Sequence, residues 1–231
     1  MLDQTTVRGR IVAAALRVAE RKPWQEVTLQ DIAEAAQVSL VELRREFSTK
    51  GEILVEFSRS VDEDVLMRAP KPAAAQDPRD RLFEVIMSRF DILAPYKSAL
   101  RSITRSGIVH PRFVGQMFVS QYWMLQAAGV GADGVDGGVR VAGLASIYAS
   151  VFGVWLDDDD PGLARTMAAL DRRLRRGART LSRVEDLCSG LSRVAAIFMP
   201  GSWRASSSPS TGQPPVTPES PVGTTGSASS L

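Results

Sequence analysis

A chain of 231 residues, 44% of them hydrophobic, can enclose a sizeable core as one or two domains. Its net charge of +2 sets up no global field that would announce nucleic acid. A single cysteine, Cys188, excludes an intrachain disulfide framework. The opening MLDQTTVRGR lacks the apolar core of a signal peptide, and no run of about 18 apolar residues follows, so no spanning helix is expected. A reducing cytoplasm is the compartment these features fit.

The first predicted helix runs from Val7 to Arg21, with Ile11, Val12, Ala15, Leu16 and Ala19 at helical spacing. Pro23 ends it, and Trp24 is expected to plug the bundle that follows. Thr28 stands where an N-cap should, with Asp31 three residues on, and Ile32, Ala33, Ala36 and Val38 form a compact apolar surface. Gln37-Val38-Ser39 is a tight turn, and Ser39 caps a second short helix over 40–47. Leu43 and Phe47, four apart, share its buried face. Leu40, Val41, Glu42, Arg44, Arg45 and Glu46 are left for a partner. Ser48-Thr49-Lys50 then opens a fourth helix reaching to about Met67.

From Ile11 to Phe57 this pattern resembles the TetR family of one-component transcriptional regulators. The resemblance rests on Ile11, Ala14 and Ala15, on Val27-Thr28 and Asp31-Ile32-Ala33, on Val38-Ser39, on Phe47, and on Lys50 with Ile53-Leu54. It covers about the first quarter of the chain. It implies a helix-turn-helix whose second helix enters the DNA major groove. It also implies a helical body behind it that binds a small apolar ligand and pairs with a second copy. DNA-contact candidates are Ser39, Leu40, Val41, Glu42, Arg44 and Arg45 at the groove. Thr28 through its side chain and Lys50 at a helix N-terminus are the phosphate candidates. Two departures stand out. Where the family often carries Gly or Pro, then Thr or Ala, then Leu-Tyr, this chain has Val41, Glu42, Leu43 and Arg44. And residues 1–57 hold eight positive side chains against nine negative, although DNA affinity comes largely from cations.

Beyond the fourth helix, residues 69–78 (APKPAAAQDP) read as a linker. Arg79 to Leu93 is a helix, Pro95 interrupts it, and Tyr96 to Ser106 is a shorter one. Gly107 to Pro111 is a turn, and Phe113 to Ala128 is a helix rich in Met and aromatic residues. Phe83, Met87, Phe90, Tyr96, Met117, Phe118, Tyr122 and Trp123 are the candidates for lining an apolar ligand cavity, against the plainer reading of an ordinary core. Residues 129–138, with five glycines, read as a flexible loop. Val139 to Leu156 has Arg140 as its one charge and must be buried on most sides. Asp160 is the expected N-cap, and Pro161 the first residue, of an amphipathic helix continuing through Leu163–Leu181. The resemblance assigns Val139–Leu156 and Leu163–Leu181 to a homodimer interface.

Residues 185–199 form a possible last amphipathic helix, and the Ser/Pro/Gly/Thr-rich stretch from Pro200 cannot bury enough surface to fold. The expected architecture is therefore all-α. A helix-turn-helix domain spans 1–57, a ligand-binding and dimerisation domain 58–199, and a disordered tail 200–231. Asp157–Asp160 suits helix capping better than a metal. The arginines at 165, 172, 173, 175, 176, 179 and 183 suit a solvated face better than a lipid or nucleic-acid surface. His110 and Cys188 lack catalytic partners, so neither an enzyme nor a cofactor is expected. The leading expectation is a repressor, acting on double-stranded DNA. A second resemblance, of VWLDDDDPGLARTMAALDRRLRR to TetR-fold lipid-binding proteins of ubiquinone biosynthesis, implies an alternative: a protein that has left DNA for lipid and membrane association.

Overall fold

Apolar residues at three- and four-residue spacing give helices throughout, and no strand stands among the described residues, which in this computed structural model are 2–69, 76–107 and 111–178. The helices are α1 (Val7–Arg21), α2 (Leu29–Ala36), α3 (Leu40–Glu46), α4 (Lys50–Arg68), α5 (Pro78–Leu93), α6 (Lys97–Arg105), α7 (Pro111–Ala127) and α8 (Gly134–Leu156). A ninth, α9, is described over 164–178. Single 3-10 turns at Trp24–Glu26 and Ala94–Tyr96 lead into α2 and α6. The bend at Ala94 follows from Pro95, which cannot donate a backbone hydrogen bond to a continuing helix.

α1 packs on α2, α3, α4 and α6, so the first three helices close around Ile11, Ala14, Leu16, Trp24, Ile32, Leu43 and Phe47. α4 runs unbroken through residue 57 and packs against α5 and α7. Its buried residues Ile53, Leu54, Phe57, Val61 and Val65 join the head's core to that of α5–α9 in one apolar cluster. Head and body therefore share one helix.

Three expectations are corrected. The glycine-rich segment 129–138 is not all loop: α8 begins at Gly134. Gly137 explains why a glycine is needed there, because a Cβ at that position would lie 2.1 Å from the backbone carbonyl of Ala132. The start of α9 lies beyond Pro161. Leu163 holds a left-handed φ of 51°, and the helix begins at residue 164. Finally, 136–156 is long and apolar enough to cross a membrane by length and composition. Leu144, Tyr148, Val151 and Trp155 are buried at helical spacing, while 39% of the apolar window is buried in all, less than an expectation of burial on most sides. The predicted helix 185–199, the tail from Pro200, His110 and Cys188 lie outside the described residues.

Candidate nucleic-acid interface and ligand cavity

α2 and α3 are short, and each is fixed at its start by reciprocal side-chain bonds. Thr28 Oγ1 accepts from the Asp31 N–H (3.1 Å), and the Asp31 carboxylate accepts from the Thr28 N–H (2.7 Å). Ser39 Oγ accepts from the Glu42 N–H (3.1 Å), while the Glu42 carboxylate accepts from both the Ser39 N–H and its hydroxyl (2.8 Å each). Both are capping boxes, which satisfy otherwise orphaned N–H groups. Between them Gln37 adopts the left-handed conformation (φ 56°) that ends α2 and turns the chain into α3.

The Asp31 carboxyl is held at about 2, chiefly by the Thr28 N–H and then by Lys22, whose ammonium lies 3.0 Å away. The ordinary aspartate value is about 3.9, so this carboxylate adds stability above that pH and loses it as pH falls through about 2. Asp31→Asn is therefore expected to lower the urea midpoint near neutral pH by a gap that closes between about pH 4 and 2. A gap that stays constant across that window would show that the charge is not the cause.

α3 has seven residues, and Leu43 is the one buried within it. Phe47, buried just past its end, completes the inner face. The outward face carries Leu40 (47% exposed) and Val41 (61% exposed), with Arg44 and Arg45 beside them. Arg44 reaches Ser48 Oγ at 3.3 Å and is otherwise turned outward. Lys50 does not join this face. Its ammonium donates to the carbonyls of Trp24 (3.0 Å) and Val27 (2.5 Å) and lies 5.0 Å from the centre of the Trp24 ring. Burial lowers its pKa. A phosphate contact at residue 50 thus falls to the start of α4, not to the ammonium. Thr28 is exposed, but its hydroxyl is engaged with Asp31.

Four of the acids that weigh against DNA in the sequence have partners within the chain. Glu42 is folded back onto the start of α3, which lowers its pKa through the Ser39 N–H. Glu46 and Glu56 flank Arg8 (3.4 and 2.9 Å), whose guanidinium lies over the Phe47 ring at 4.5 Å. Glu52 accepts from the Ser48 N–H (2.6 Å) and pairs with Arg112 of α7. Asp158, Asp159 and Asp160 likewise serve the chain itself. Asp158 accepts from the Thr166 N–H and hydroxyl, Asp159 pairs with Arg101, and Asp160 accepts from the Gly162 and Ala164 N–H groups. Among the described residues no group of three His, Cys, Asp or Glu is placed to hold a metal.

In the body, α4, α5, α6, α7 and α8 line a partly open cavity of about 310 Å³. Its walls include Leu54 and Phe57, Leu93, Leu100 and Ile103, Phe113 and Met117, and Tyr148 and Phe152. The expected lining set is mostly placed elsewhere. Of the eight candidates, Met117 alone stands in this wall. Phe90 lies in solid core, stacked on Tyr148 and Trp155 with ring centres 5.6 and 5.3 Å away. Phe118 and Trp123 are 43% and 44% exposed. Tyr122 turns to Asp133, Tyr96 packs edge-on to Phe57, and Phe83 and Met87 pack against the core half-buried.

The polar side of the cavity lies outside the expected lining set. Arg89 is buried there, its guanidinium donating to Asp62, to Tyr148 Oη (3.1 Å) and, more weakly, to Ser58 Oγ (3.5 Å). Asp62 also accepts from Ser120 Oγ (2.6 Å) and Gln116 Nε2 (3.3 Å). Burial by itself would lower the Arg89 pKa, but Tyr148 and Asp62 reverse that and hold it above its ordinary value. The signal was available. Arg89 is in phase with Val85, Ile86 and Leu93 on the apolar face of α5, where a charge needs a partner.

Residues 11–57 match the model of the bacterial regulatory proteins of the tetR family. The fold is similar to that of a TetR transcriptional regulator from Nitrosomonas europaea, at 25% identity and a TM-score of 0.58 over 75% of this chain and 98% of that one. It is also similar to a TetR transcriptional regulator from Rhodococcus sp. RHA1 (19%, TM-score 0.58, 76% and 97%). A tetR-family regulator from Streptomyces coelicolor (20%, TM-score 0.52, 82% and 88%) shares the fold too. No curated protein matches the chain. The resemblance to lipid-binding proteins of ubiquinone biosynthesis gains no support from these matches.

Proposed function

We propose that this chain, whose residues 11–57 match the tetR-family model and whose fold is similar to that of TetR transcriptional regulators, is a repressor that leaves a palindromic operator when a small, largely apolar ligand enters its body. The observation that carries the DNA half is the outward face of α3. Leu40, Val41, Arg44 and Arg45 project from a helix fixed by the Ser39–Glu42 capping box and anchored by Leu43 and Phe47. In this reading Ser39, Leu40, Val41, Arg44 and Arg45 meet base edges and phosphates of double-stranded DNA, while the starts of α2 and α4 at Thr28 and Lys50 meet the backbone. Glu42 acts by holding the helix start in place.

A homodimer built on α8 and α9 would set two α3 helices one turn of DNA apart, about 34–36 Å. Its support is the small-residue surface that α8 leaves exposed at Ala142, Gly143, Ser146, Ala149, Ser150 and Gly153. The cavity touches three helices that reach the head: α4, α6 and α7, the last through the Arg112–Glu52 pair. α4 carries it directly. α6 lines the cavity with Leu100 and Ile103 and is hydrogen-bonded to the head through Ser102, which accepts from the Trp24 N–H (3.1 Å) and donates to the Lys22 carbonyl (3.3 Å). A ligand that spreads these walls biases the head, which is the coupling that release requires. The reading also places the protein with chromosomal DNA, in the cytoplasm. The DNA-free alternative rests on a late-helix resemblance that the matches do not support, on the charge balance of residues 1–57, and on Glu42 and Glu46, which are engaged within the head.

The test is fluorescence anisotropy with duplex DNA from upstream of the protein's own gene, across a salt series. Specific binding is expected to weaken as salt rises. Arg44→Ala should lower affinity by about 1–3 kcal/mol if it reads a base, or flatten the salt slope by about one unit if it holds a phosphate. Binding with no sequence preference at low salt would remove the repressor reading.

A further inference from the structure

We propose that the body cavity selects an uncharged ligand whose polar end carries both a hydrogen-bond donor and an acceptor, such as a carboxamide, and that Gln121 recognises that end. This rests on the cavity being the regulator's ligand site. Gln121 lies on α7, is 1% exposed and stands in the cavity wall. Neither its Nε2 nor its Oε1 has a hydrogen-bond partner. A buried amide without partners is uncommon, because both atoms have given up water and gained nothing. Both atoms are sealed from the cavity space in this conformation, and with no hydrogen bond to break, a turn of the Gln121 side chain about its χ angles would offer them to a molecule in the cavity.

The charged neighbours are already matched, and the Ser58 and Tyr148 hydroxyls accept from Arg89. Ser120 donates to Asp62, Thr104 donates to the Leu100 carbonyl, and Arg89 is bound to Asp62 and Tyr148. Since Asp62 balances Arg89, an anionic head finds no unmatched cation here and a cationic head no unmatched carboxylate. A carboxamide can donate to Gln121 Oε1 while accepting from Nε2. A carboxylate can only accept, and would set its charge against Oε1. The remaining wall is apolar, and about 310 Å³ is roughly twice the cavity that holds one benzene ring. The ligand is therefore a small amphipathic molecule, with an aryl or short alkyl body behind the polar end.

Three probes of matched size separate the possibilities: 4-phenylbutanamide, its carboxylate 4-phenylbutanoate, and the methyl ketone 5-phenyl-2-pentanone, which accepts but cannot donate. Each is titrated calorimetrically into the full-length protein at neutral pH. The amide is expected to bind at least tenfold more tightly than either of the others. Gln121→Met, similar in size but without the amide, should lose that preference while its thermal midpoint holds or rises. Gln121→Asn, which withdraws the amide by one methylene, should weaken the amide probe alone. Equal binding of the three probes, tighter binding of the carboxylate, no binding of any, or an unchanged preference in Gln121→Met would overturn the assignment. Adding the amide to the DNA complex is read separately. Binding that depends on Gln121 but releases no DNA upholds the site and removes ligand release from the proposed function.

Discussion

Asp62→Leu is expected to destabilise the fold by about 3–5 kcal/mol, because it leaves the buried Arg89 guanidinium without its counter-charge. The loss extends past one ion pair, since Ser120 and Gln116 also donate to Asp62. For a body of this size the thermal midpoint should fall by on the order of 10 °C. Asp62→Leu combined with Arg89→Met should recover most of the loss, as a buried pair replaced on both sides by apolar groups is often neutral. Urea unfolding of the two single variants and the double variant measures this. A single variant within about 1 kcal/mol of the parent would show that the pair is well hydrated and not the lock described here.

Phe47→Ala should cost a similar amount, about 3–5 kcal/mol, for emptying a fully buried aromatic site. Its effect should concentrate on α3. A helix of seven residues has no stability of its own, and this one is held by its capping box, Leu43 and Phe47. The Arg8 guanidinium would also lose the ring beneath it. Amide hydrogen exchange is expected to show α3 losing protection more than α5 or α8, together with loss of DNA binding. Uniform loss of protection across the chain would mean that α3 is no more dependent on Phe47 than the rest.

The helix-turn-helix was legible in the sequence because its signals are local. Thr28 with Asp31, and Leu43 with Phe47, are three or four residues apart and need no tertiary information. Glu42 was legible in position but not in direction. The spacing Ser39-x-x-Glu42 is itself a capping signal, and it outweighs reading the acid as a groove contact. The cavity was harder because α7 is apolar nearly all round. Which of Met117, Phe118, Tyr122 and Trp123 turned inward depended on where α4 and α8 lay, and that is not written in α7. The better clues were the misfits, Arg89 on α5 and Gln121 next to Met124 and Leu125 on α7, polar groups placed where the helical phase demanded apolar ones.

The unbroken course of α4 makes it a lever. From Asp62, locked between α5 and α7, to Lys50, clamped on the loop before α2, is about 18 Å at 1.5 Å per residue. A tilt of about 5° at the locked end moves the far end by about 1.5 Å over that length. In a two-fold assembly the displacements oppose each other, so the two reading helices would separate by about 3 Å, nearly one base-pair step of the duplex. On the proposed reading, a cavity far from the DNA changes the fit on it without unfolding anything, provided that the rod stays straight and its fulcrum stays firm.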